Sequence, residues 1–391
     1  MGDYSSSRRS VITCKAVVCR GPDQWKVEEI EVDPPLASEV RIKMLFASVC
    51  HSDLLFSKGY PLPLYPRVLG HEGIGVVESI GENVKELKEG DVVIPSPIGV
   101  CGECENCSSG ETNMCLTYPI SFAGLMPEGT SRLHLPAAAS SGQDGGGERQ
   151  LLYHVFSCST WSEYLVSHAN YLVKLDPAHD LPLPHASFLA CGFSTGFGSV
   201  QVEARVRKGS SVVVFGLGGV GLGAVAGAKV QGAATIIGVD KNEMKREKGE
   251  AFGITHFVNP DQYPDKPISE LIRDLTGGHG VDCCIECTGA GHLINQALDS
   301  TKAGKGKVVL VSAGQTNGNL NFLSLLMGRT LKGTIYGGIK PRSFLPYLLD
   351  LCKREGIPLD KLLTHEIQLE DIAQVTELLK RQDCVKILIK I

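Results

Sequence analysis

The chain lacks any long apolar run, any excess of positive charge and any apolar core at its amino terminus. Among its 391 residues no apolar stretch reaches the ~18 residues that a membrane-spanning helix needs. The formal net charge of −5 argues against nucleic acid and anionic membranes as partners, because neither attracts an acidic surface. The opening stretch MGDYSSSRRS is polar, so we expect no secretory signal there. A content of 43% hydrophobic and 21% charged residues is ordinary for a soluble globular protein.

Fourteen cysteines without a secretory signal indicate a reducing compartment, so we expect a cytoplasmic protein. Four of the thiols lie within fifteen residues, at Cys101, Cys104, Cys107 and Cys115. Four thiolates with such gaps can surround one tetrahedral Zn²⁺; disulfides and an iron–sulfur site are the alternatives. The proline that ends ferredoxin cysteine runs is replaced by Leu116, and the spacing favours zinc. Such a closed site stabilises a lobe, so the chemistry is expected elsewhere.

The organisation of the chain changes along its length. Residues 14–118 alternate Val/Ile-rich runs with Gly/Pro turns, and runs such as RIKMLFASV, IGVVESIG and DVVIPS predict β-strands. Residues 211–336 alternate strand and helix patterns, which predicts a doubly wound parallel sheet. The strand candidates there are VVVFG, TIIGVD, THFVN, DCCIEC, KVVLVS and GTIYGG. The glycine-rich stretch 135–149 predicts an exposed loop, and the tail predicts two helical stretches and a last strand, VKILIKI, that returns to the first domain.

A glycine-rich turn joins the first strand of this second region to a helix of small residues. The sequence GLGGVG has the strand–turn–helix context in which a Gly-x-Gly-x-x-Gly motif binds a dinucleotide. Gly216 allows the tight turn, Gly218 lets the backbone approach a pyrophosphate, and Gly221 lets helix and strand pack closely. The free N–H groups of the helix then face the phosphates. A similar turn in an unrelated α/β protein is the alternative interpretation.

The preferred dinucleotide is predicted from the end of the second strand. Asp240 lies 19 residues after Gly221, where a carboxylate accepts hydrogen bonds from ribose hydroxyls and repels a 2′-phosphate. NAD is therefore favoured over NADP. Lys241 and Lys245 lie nearby and soften that preference.

Three further segments carry metal-binding residue types. They are Cys50-His51-Ser52-Asp53, Gly70-His71-Glu72 and Cys191-Gly192. A single buried Cys or His is more often a packing residue than a ligand. Together, two thiolates and one imidazole leave a tetrahedral zinc with one open position for water or a substrate oxygen.

These motifs together resemble the zinc-containing medium-chain alcohol dehydrogenases, in particular their plant alcohol dehydrogenase-like branch. GHEGIGVVESIGENV matches the family's zinc signature GHExxGxxxxxGxxV, and the cysteine lobe, CGFSTGFGSV, GLGGVG and GTIYGG follow in family order. The resemblance runs from about residue 14 to residue 391. It implies an α/β fold with a GroES-like, β-rich catalytic domain (1–192 and 338–391) and a Rossmann domain (193–337) with a doubly wound parallel sheet.

The resemblance also implies the ligands of two zinc ions in each chain. Cys50, His71 and Cys191 would bind a catalytic zinc, and the four clustered cysteines a structural one. Glu72 would lie behind the catalytic metal and approach it during ligand exchange. Asp53 would bond to the second nitrogen of His71 and fix its tautomer.

Further residues would serve the substrate and an NAD(H) cofactor. Ser52 would bond to the substrate oxygen and pass its proton outward, while His51 and Lys386 would meet the pyrophosphate. The resemblance and the glycine motif together give the remaining cofactor residues: Thr195, Gly216, Gly218, Gly219, Val220, Gly221, Asp240, Lys245, Val311 and Ile335.

Two departures from the family concern the reacting centre. Many members have a histidine four residues after the relay serine, at the end of the proton path, but the stretch here is Leu55-Phe56. Pro97 replaces an aromatic residue that narrows the pocket in many members. We therefore expect proton release through His51 or through the cofactor ribose and water, and a pocket for an alcohol bulkier than ethanol.

The predicted function is NAD(H)-linked interconversion of an alcohol and its aldehyde or ketone by hydride transfer at a zinc centre. The alternatives are a 1,4-reductase of a conjugated iminium or enal, an NADPH-linked aldehyde reductase of the same family, and a non-catalytic zinc protein that binds nucleotide. Loss of the zinc ligands or of Ser52 would indicate a 1,4-reductase, and all of these residues are intact. The expected partners are a small-molecule substrate and a second copy of the chain, joined through the Rossmann domain.

Overall fold

The computed structural model describes residues 10–137, 149–176, 178, 181–311, 314 and 317–391. The polar residues 1–9 and most of the glycine-rich stretch, residues 138–148, lie outside this range, as does the loop prediction made for them. The chain forms two compact units, one of Met1–Cys191, Lys340–Asp350 and Leu363–Ile391, the other of Gly192–Ile339 and Leu351–Leu362.

The predicted division of the chain differs from these units by one or two residues at two boundaries and at one longer segment. Residues 351–362 had been assigned to the first domain, but they belong to the second compact unit. There the ammonium group of Lys248 donates a hydrogen bond to the carbonyl oxygen of Lys361 at 2.8 Å. A contact between residues so far apart in sequence cannot be seen in the local pattern.

The first unit is rich in short strands and contains few helices. Its strands are β1 (Ile12–Gly21), β2 (Gln24–Val32), β3 (Glu39–Ser48), β4 (Arg67–Val68), β5 (Glu72–Ile80), β6 (Val92–Pro95), β7 (Leu133–Leu135), β8 (Gln150–Leu151), β9 (Tyr164–His168), β10 (Leu172–Lys174), β17 (Leu363–Gln368) and β18 (Lys386–Lys390). Its helices are α1 (His51–Ser57), α2 (Glu105–Ser109), α3 (Leu183–Ser187) and α11 (Val375–Leu378), and α10 (Pro341–Arg354) begins in it.

Two sheets organise the first unit. One has the order β4-β1-β2-β7-β8; the other has the order β10-β6-β5-β3-β18-β17, with β9 also paired to β3. The predicted strands RIKMLFASV, IGVVESIG and DVVIPS are confirmed as β3, β5 and β6. The last strand does return to this unit, because β18 pairs antiparallel with β3. The buried ring of Trp161 stacks on Trp25 in the core, with ring centroids 5.5 Å apart.

The second unit alternates strands and helices, as its sequence predicts. Its strands are β11 (Ser211–Phe215), β12 (Thr235–Val239), β13 (His256–Val258), β14 (Cys283–Glu286), β15 (Lys307–Leu310) and β16 (Thr330–Gly333). Its helices are α4 (Gly192–Gly198), α5 (Gly219–Val230), α6 (Lys245–Phe252), α7 (Ile268–Asp274), α8 (Ile294–Asp299) and α9 (Phe322–Leu326). All six strands are parallel, in the order β13-β12-β11-β14-β15-β16. This is the doubly wound order, which reverses between β11 and β14, and ligands bind at the carboxyl ends of the strands there.

One predicted strand is wrong. GTIYGG was predicted as a strand, but β16 ends at Gly333 and the chain turns through a 3₁₀ segment at Tyr336–Gly338. Tyr336, Gly337 and Gly338 all have positive φ angles (56°, 64° and 70°), which no strand residue adopts. Within the described ranges, no helix is long and apolar enough to cross a membrane.

Candidate zinc and dinucleotide sites

The four clustered cysteines point their sulfurs at one centre. The Sγ atoms of Cys101, Cys104, Cys107 and Cys115 all lie within 4.8 Å of one another. Two of the separations are 3.8 Å (Cys101 to Cys107) and 3.9 Å (Cys104 to Cys115). A tetrahedral zinc with bonds of about 2.3 Å has sulfur–sulfur edges of about 3.8 Å. A disulfide needs about 2.05 Å, and all fourteen cysteines are free. The geometry therefore fits a closed zinc site and excludes the disulfide alternative.

Backbone N–H groups surround these sulfurs and stabilise negative charge on them. Cys104 donates to the sulfur of Cys101 at 3.3 Å, Cys107 to that of Cys104 at 3.4 Å, and Tyr118 to that of Cys115 at 3.3 Å. The first of these bonds is the main reason why the pKa of Cys101 is lowered to about 6. Burial acts in the opposite direction on Cys107 and raises its pKa to about 11.

The lobe is also tied to the rest of the first unit. Cys104 caps α2, and the helix ends at Gly110 with a φ of 71°. The ammonium group of Lys340 donates to the carbonyl oxygen of Cys107 at 2.5 Å, across 233 residues of sequence. This bond connects the lobe to the residue that precedes α10.

A second donor cluster brings together the three segments that the sequence analysis singled out. One ligand atom from each of Cys50, His71, Glu72 and Cys191 lies within 4.8 Å of the others. Cys50 precedes α1 as its N-cap, His71 precedes β5, and Cys191 follows the 3₁₀ turn Phe188–Ala190. Two sulfurs and one imidazole nitrogen form a donor set that zinc accepts.

The histidine of this cluster is oriented by a buried carboxylate. Nδ1 of His71 lies 2.6 Å from Oδ1 of Asp53, and Oδ2 of Asp53 accepts the N–H of Cys50 at 3.0 Å. Burial raises the pKa of Asp53. Burial alone would lower the pKa of His71, but the charges of Asp53 and Cys50 and the hydrogen bonds to both residues together raise that pKa well above its ordinary value. The imidazole therefore presents Nε2 to the cluster, in the arrangement typical of metal-binding histidines.

The carboxylate of Glu72 is held by two residues that do not belong to the donor cluster. Its carboxylate accepts hydrogen bonds from the hydroxyl of Ser48 and from the ammonium group of Lys386. Lys386 also donates to the carbonyl oxygen of Val49 at 3.3 Å, and both charged groups are buried. Burial raises the pKa of Glu72. Burial alone would lower the pKa of Lys386, but its ion pair and hydrogen bond with Glu72 and the nearby Cys50 and Cys191 together raise it. Glu72 is thus held by two other residues although it lies within 4.8 Å of the remaining donors, and Cys50, His71 and Cys191 are the three other candidate ligands.

The pairing of Lys386 with Glu72 was missed by sequence reasoning. The resemblance placed Lys386 at the cofactor pyrophosphate, and that role stays a prediction. The two residues are 314 positions apart, and no local pattern connects them.

An aromatic wall beside the zinc-ligand candidate His71 was also missed. The ring centroid of Phe156 lies 5.4 Å from that of His71 and 4.9 Å from that of Phe56, both at steep interplanar angles. Phe122 lies 5.8 Å from Phe156 and forms the outer, partly exposed end of the wall. Phe156 has a φ of 53°, which is rare for a bulky residue and marks a conformation imposed by its surroundings. No local sequence pattern predicts that a phenylalanine has a left-handed backbone conformation.

The proposed relay begins on the first turn of α1. His51 is exposed and Ser52 is partly buried, one and two residues after Cys50. Leu55 lies on the next turn of the same helix. At the other departure from the family, Pro97 is buried.

The glycine motif of the second unit has the backbone geometry that was predicted. Gly216 has a φ of 86°, and a Cβ atom on Gly221 would lie only 1.8 Å from the carbonyl oxygen of Gly216. A Cβ on Gly218 would meet no atom within 4 Å, so this glycine faces open space at the start of α5. Open space above a helix N-terminus is what a bound pyrophosphate requires.

Asp240 lies beside this turn at the end of β12. Its Oδ2 accepts the N–H of Leu217 at 2.8 Å and its Oδ1 accepts the N–H of Asn242 at 2.9 Å. Lys245, the first residue of α6, is buried, whereas Lys241 is exposed and lies 3.9 Å from Asp261. The carboxylate is thus fixed by two backbone donors next to the glycine motif.

The residues predicted around the nicotinamide ring converge in the second unit. A Cβ on Gly196 of α4 would lie 1.8 Å from the carbonyl oxygen of Val220, and one on Gly337 would lie 2.3 Å from that of Thr195. The hydroxyl of Thr195 is buried and has no hydrogen-bond partner within the described part of the chain. Val311 directly follows β15, and Ile335 follows β16 by two residues. The hydroxyl of Thr195 can thus donate to a bound ligand, and the closely packed backbone around it lies at the carboxyl ends of the strands. Both features fit a dinucleotide site.

Comparison with known proteins agrees with this geometry. Residues 37–177 match the family described as "Alcohol dehydrogenase GroES-like domain", and residues 219–354 match "Zinc-binding dehydrogenase". The chain is 57% identical over 384 residues to the "CYP enzymes assisting alcohol dehydrogenase" of Catharanthus roseus, with 97% of this chain and 99% of the relative covered. It is 52% identical over 387 residues to "Alcohol dehydrogenase 1" of Artemisia annua, with 97% and 98% covered. The solved structure of benzyl alcohol dehydrogenase from Acinetobacter calcoaceticus superposes with a TM-score of 0.82 at 31% identity, with 97% and 99% covered.

The β-rich unit and the doubly wound unit are those of a medium-chain dehydrogenase with a GroES-like and a Rossmann-type domain. The predicted fold class is confirmed. The chain belongs to the zinc-containing medium-chain alcohol dehydrogenases, as an oxidoreductase similar to plant members of the family.

Proposed function

We propose that the protein interconverts a bulky, apolar alcohol and its aldehyde or ketone with NAD(H), using a zinc ion held by Cys50, His71 and Cys191. The observation that carries the proposal is the open donor set, in which Asp53 orients His71 and the carboxylate of Glu72 is held by Ser48 and Lys386. A structural site would present a fourth protein donor instead. A second zinc, bound by the four-cysteine lobe, is proposed on the sulfur spacing.

The bound zinc supplies a Lewis acid, which makes the alcohol more acidic or polarises the carbonyl. Asp53 holds the imidazole of His71 in one tautomer, so that Nε2 stays available as a ligand. The hydroxyl of Ser52 would accept the proton of the alcohol while donating its own proton onward, so that it acts as a relay. Because Leu55 offers no ionisable group, exposed His51 is the nearest side chain along α1 that can carry this proton toward solvent.

The cofactor is proposed to bind in the second unit along the carboxyl ends of its strands. Gly216, Gly218 and Gly221 shape the pyrophosphate turn, and the carboxylate of Asp240 meets the adenosine ribose. This carboxylate supports NAD(H) over NADP(H), because a 2′-phosphate would be repelled. The nicotinamide ring, which accepts or donates the hydride, is expected near Thr195 and Ile335.

The proposed substrate class is supported by the aromatic wall next to His71, in which Phe56 and Phe156 belong to the buried core of the first unit and Phe122 lies at the outer end. Aromatic side chains bury large apolar groups efficiently, and small polar alcohols gain little from them. Pro97 in place of a bulkier aromatic residue also supports a larger substrate. The printed name of one relative, benzyl alcohol dehydrogenase, is consistent with a ring-bearing alcohol.

A panel of alcohols and aldehydes tests the proposal. The zinc-loaded protein is assayed with NAD(H) and NADP(H) at the nicotinamide absorbance, comparing ethanol with benzyl-type and terpenoid-type alcohols. We expect turnover of the bulky alcohols with NAD. Reduction of the double bond of a conjugated enal, with the carbonyl intact, would identify a 1,4-reductase instead. A tenfold preference for NADPH, about 1.4 kcal/mol, would contradict the role of Asp240.

A homodimer is proposed on an exposed surface of the second unit. β16 is an edge strand of its sheet, and the neighbouring helix α9 exposes Phe322 (69%), Leu323 (67%) and Leu326 (80%). An unpaired strand edge beside apolar side chains is the kind of surface that a second copy of the chain covers. Sedimentation of the purified protein tests this, and a monomer at micromolar concentration would contradict it.

We also propose a cytoplasmic location, on the chemistry of the thiols. All fourteen cysteines are free, and the function of six of them as ligands requires the reduced form. Fractionation of the cells that express the protein tests this.

A further inference from the structure

A mostly buried carboxylate that the proposed mechanism does not use holds the turn before the 3₁₀ segment Tyr336–Gly338. Oε1 of Glu203 accepts a hydrogen bond from the hydroxyl of Thr334 at 2.8 Å, and its other oxygen pairs with the ammonium group of Lys332. The side chain of Glu203 is only 9% exposed. The N–H of Thr334 donates to the carbonyl oxygen of Leu310 at 3.0 Å, which extends the β15–β16 ladder by one bond. Thr334 is therefore fixed through both its backbone and its side chain.

The rest of the turn is packed between Glu203 and α4. A Cβ on Gly338 would lie 2.2 Å from Oε1 of Glu203, and a Cβ on Gly337 would lie 2.3 Å from the carbonyl oxygen of Thr195. Both glycines have positive φ angles, 64° and 70°. The turn thus has no room to move toward either neighbour, and Ile335 at its start is held at the carboxyl end of the sheet.

The position of Glu203 depends on an irregular helix. After α4 the chain continues as a π-helical segment, Ser199–Ala204, which ends at Arg205 with a φ of 51°. The ammonium group of Lys307 on β15 donates to the carbonyl oxygen of Ala204 at 2.9 Å and closes this end. The wider turn changes the direction of the side chains that follow it, and such segments occur frequently at functional sites. Here it directs Glu203 at Thr334.

We propose that Glu203 is a positioning residue for the nicotinamide half of the cofactor. By bonding to Thr334 it keeps Ile335 and the backbone of the turn in a fixed place against Thr195, so that the ring enters a preformed surface. A preformed surface binds more tightly than one that must be ordered during binding. The inference rests on the proposed dinucleotide site and adds a residue that does not touch the cofactor.

The test compares the affinity for NADH with the affinity for ADP-ribose. Thr334→Val removes the hydroxyl and keeps the size of the side chain. We expect NADH to bind this variant about tenfold more weakly, a change of about 1.4 kcal/mol, while ADP-ribose binds with the wild-type affinity because it lacks the nicotinamide ring. NADH is titrated by its fluorescence and ADP-ribose by calorimetry, both on the zinc-loaded protein and without substrate turnover.

Two variants of the carboxylate complete the test. Glu203→Ala is expected to behave like Thr334→Val, whereas Glu203→Gln keeps an acceptor for Thr334 and is expected to bind NADH within about twofold of the wild type. Lys332→Gln leaves the hydrogen bond intact and serves as the matched control. If Glu203→Ala fails to fold, Thr334→Val alone decides.

The outcomes distinguish this inference from the proposed function. Unchanged NADH affinity in Thr334→Val overturns it, and so does an equal loss for NADH and ADP-ribose, because the contact would then support only the fold. A wild-type protein that binds neither molecule refutes the proposed dinucleotide site itself. Selective loss of NADH, restored in Glu203→Gln, supports the inference.

Discussion

The two candidate zinc sites both contain cysteine sulfurs, but the residues around them suit the sites to different roles. In the lobe around Cys104, four sulfurs converge and backbone N–H groups surround them, so no position is left for another ligand. In the cluster around His71, the fourth candidate, Glu72, is bound by Ser48 and Lys386, and a carboxylate orients the imidazole. The closed cluster can only hold the chain together, whereas the open one can hold a substrate oxygen. The residues around the donors therefore decide the role more than the donors do.

The largest effect is expected when a donor is removed from the open cluster. Cys191→Ser is expected to reduce alcohol oxidation by more than about 10³-fold, since it removes a thiolate ligand and with it the tight binding of the Lewis acid. Zinc measured by elemental analysis should fall from two ions to one per chain, with the melting temperature nearly unchanged. Cys384→Ser, outside both donor sets, is the control and should keep two zinc ions and full activity. A Cys191→Ser enzyme with wild-type turnover would remove this cluster from the reaction.

The same substitution in the closed cluster should have the opposite profile. Cys104→Ser is expected to lose one zinc ion and to lower the free energy of unfolding by roughly 4 kcal/mol or more, as loss of a structural metal typically does. Cys104 also supplies the acceptor that caps α2, so the effect should begin in that helix. Thermal unfolding and zinc content are measured together, and the remaining folded protein should keep its kcat. A loss of kcat with an unchanged free energy of unfolding would mean that the lobe takes part in catalysis.

The difference between the clusters could be predicted from sequence only in part. The ligand types and the glycine motif were recognised because each is encoded within a few neighbouring residues. The contacts that give the donors their roles join distant residues: Glu72 to Lys386 across 314 positions, and Glu203 to Thr334 across 131. No local pattern reports such pairs. The left-handed backbone of Phe156 was invisible for a different reason, because a conformation imposed by packing leaves no preferred residue type behind.

The turn after β16 shows the same limit within one short segment. GTIYGG has the β-branched and aromatic residues of a strand, and the strand prediction failed because packing against α4 determines the conformation. Propensity is a weak guide where a neighbouring helix leaves no room for a Cβ atom. The fold class was nevertheless correct, since the order of strand and helix patterns does not depend on the last residues of each element.

A smaller effect should distinguish orientation from ligation in the open cluster. Asp53→Asn keeps the size of the side chain but removes its charge, so the hydrogen bond that orients the imidazole of His71 is weakened. Changes of this kind next to a ligand typically cost about 10–100-fold in metal affinity or activity. Zinc affinity is measured by competition with a chromophoric chelator. The substitution leaves the four sulfurs of the closed cluster and their backbone donors unchanged, so the ion of that cluster should be released at the wild-type rate in the same experiment.

The smallest expected effect concerns Glu72, and it tests why the open position stays open. Glu72→Gln removes the charge that pairs with Lys386 but keeps an acceptor for the hydroxyl of Ser48. If Glu72 approaches the metal during ligand exchange, its amide replacement should slow exchange of the open-site zinc by a few-fold while the equilibrium zinc content stays at two. Exchange is followed with isotopically enriched zinc and mass spectrometry. Lys386→Met is the matched comparison: it leaves the carboxylate of Glu72 buried without its cation, so the positive charge of the metal attracts it more strongly. Faster exchange in Lys386→Met together with slower exchange in Glu72→Gln would assign the ion pair as the restraint on the fourth ligand. Equal exchange rates in both variants and the wild type would leave Glu72 with a purely structural part in the core of the first unit.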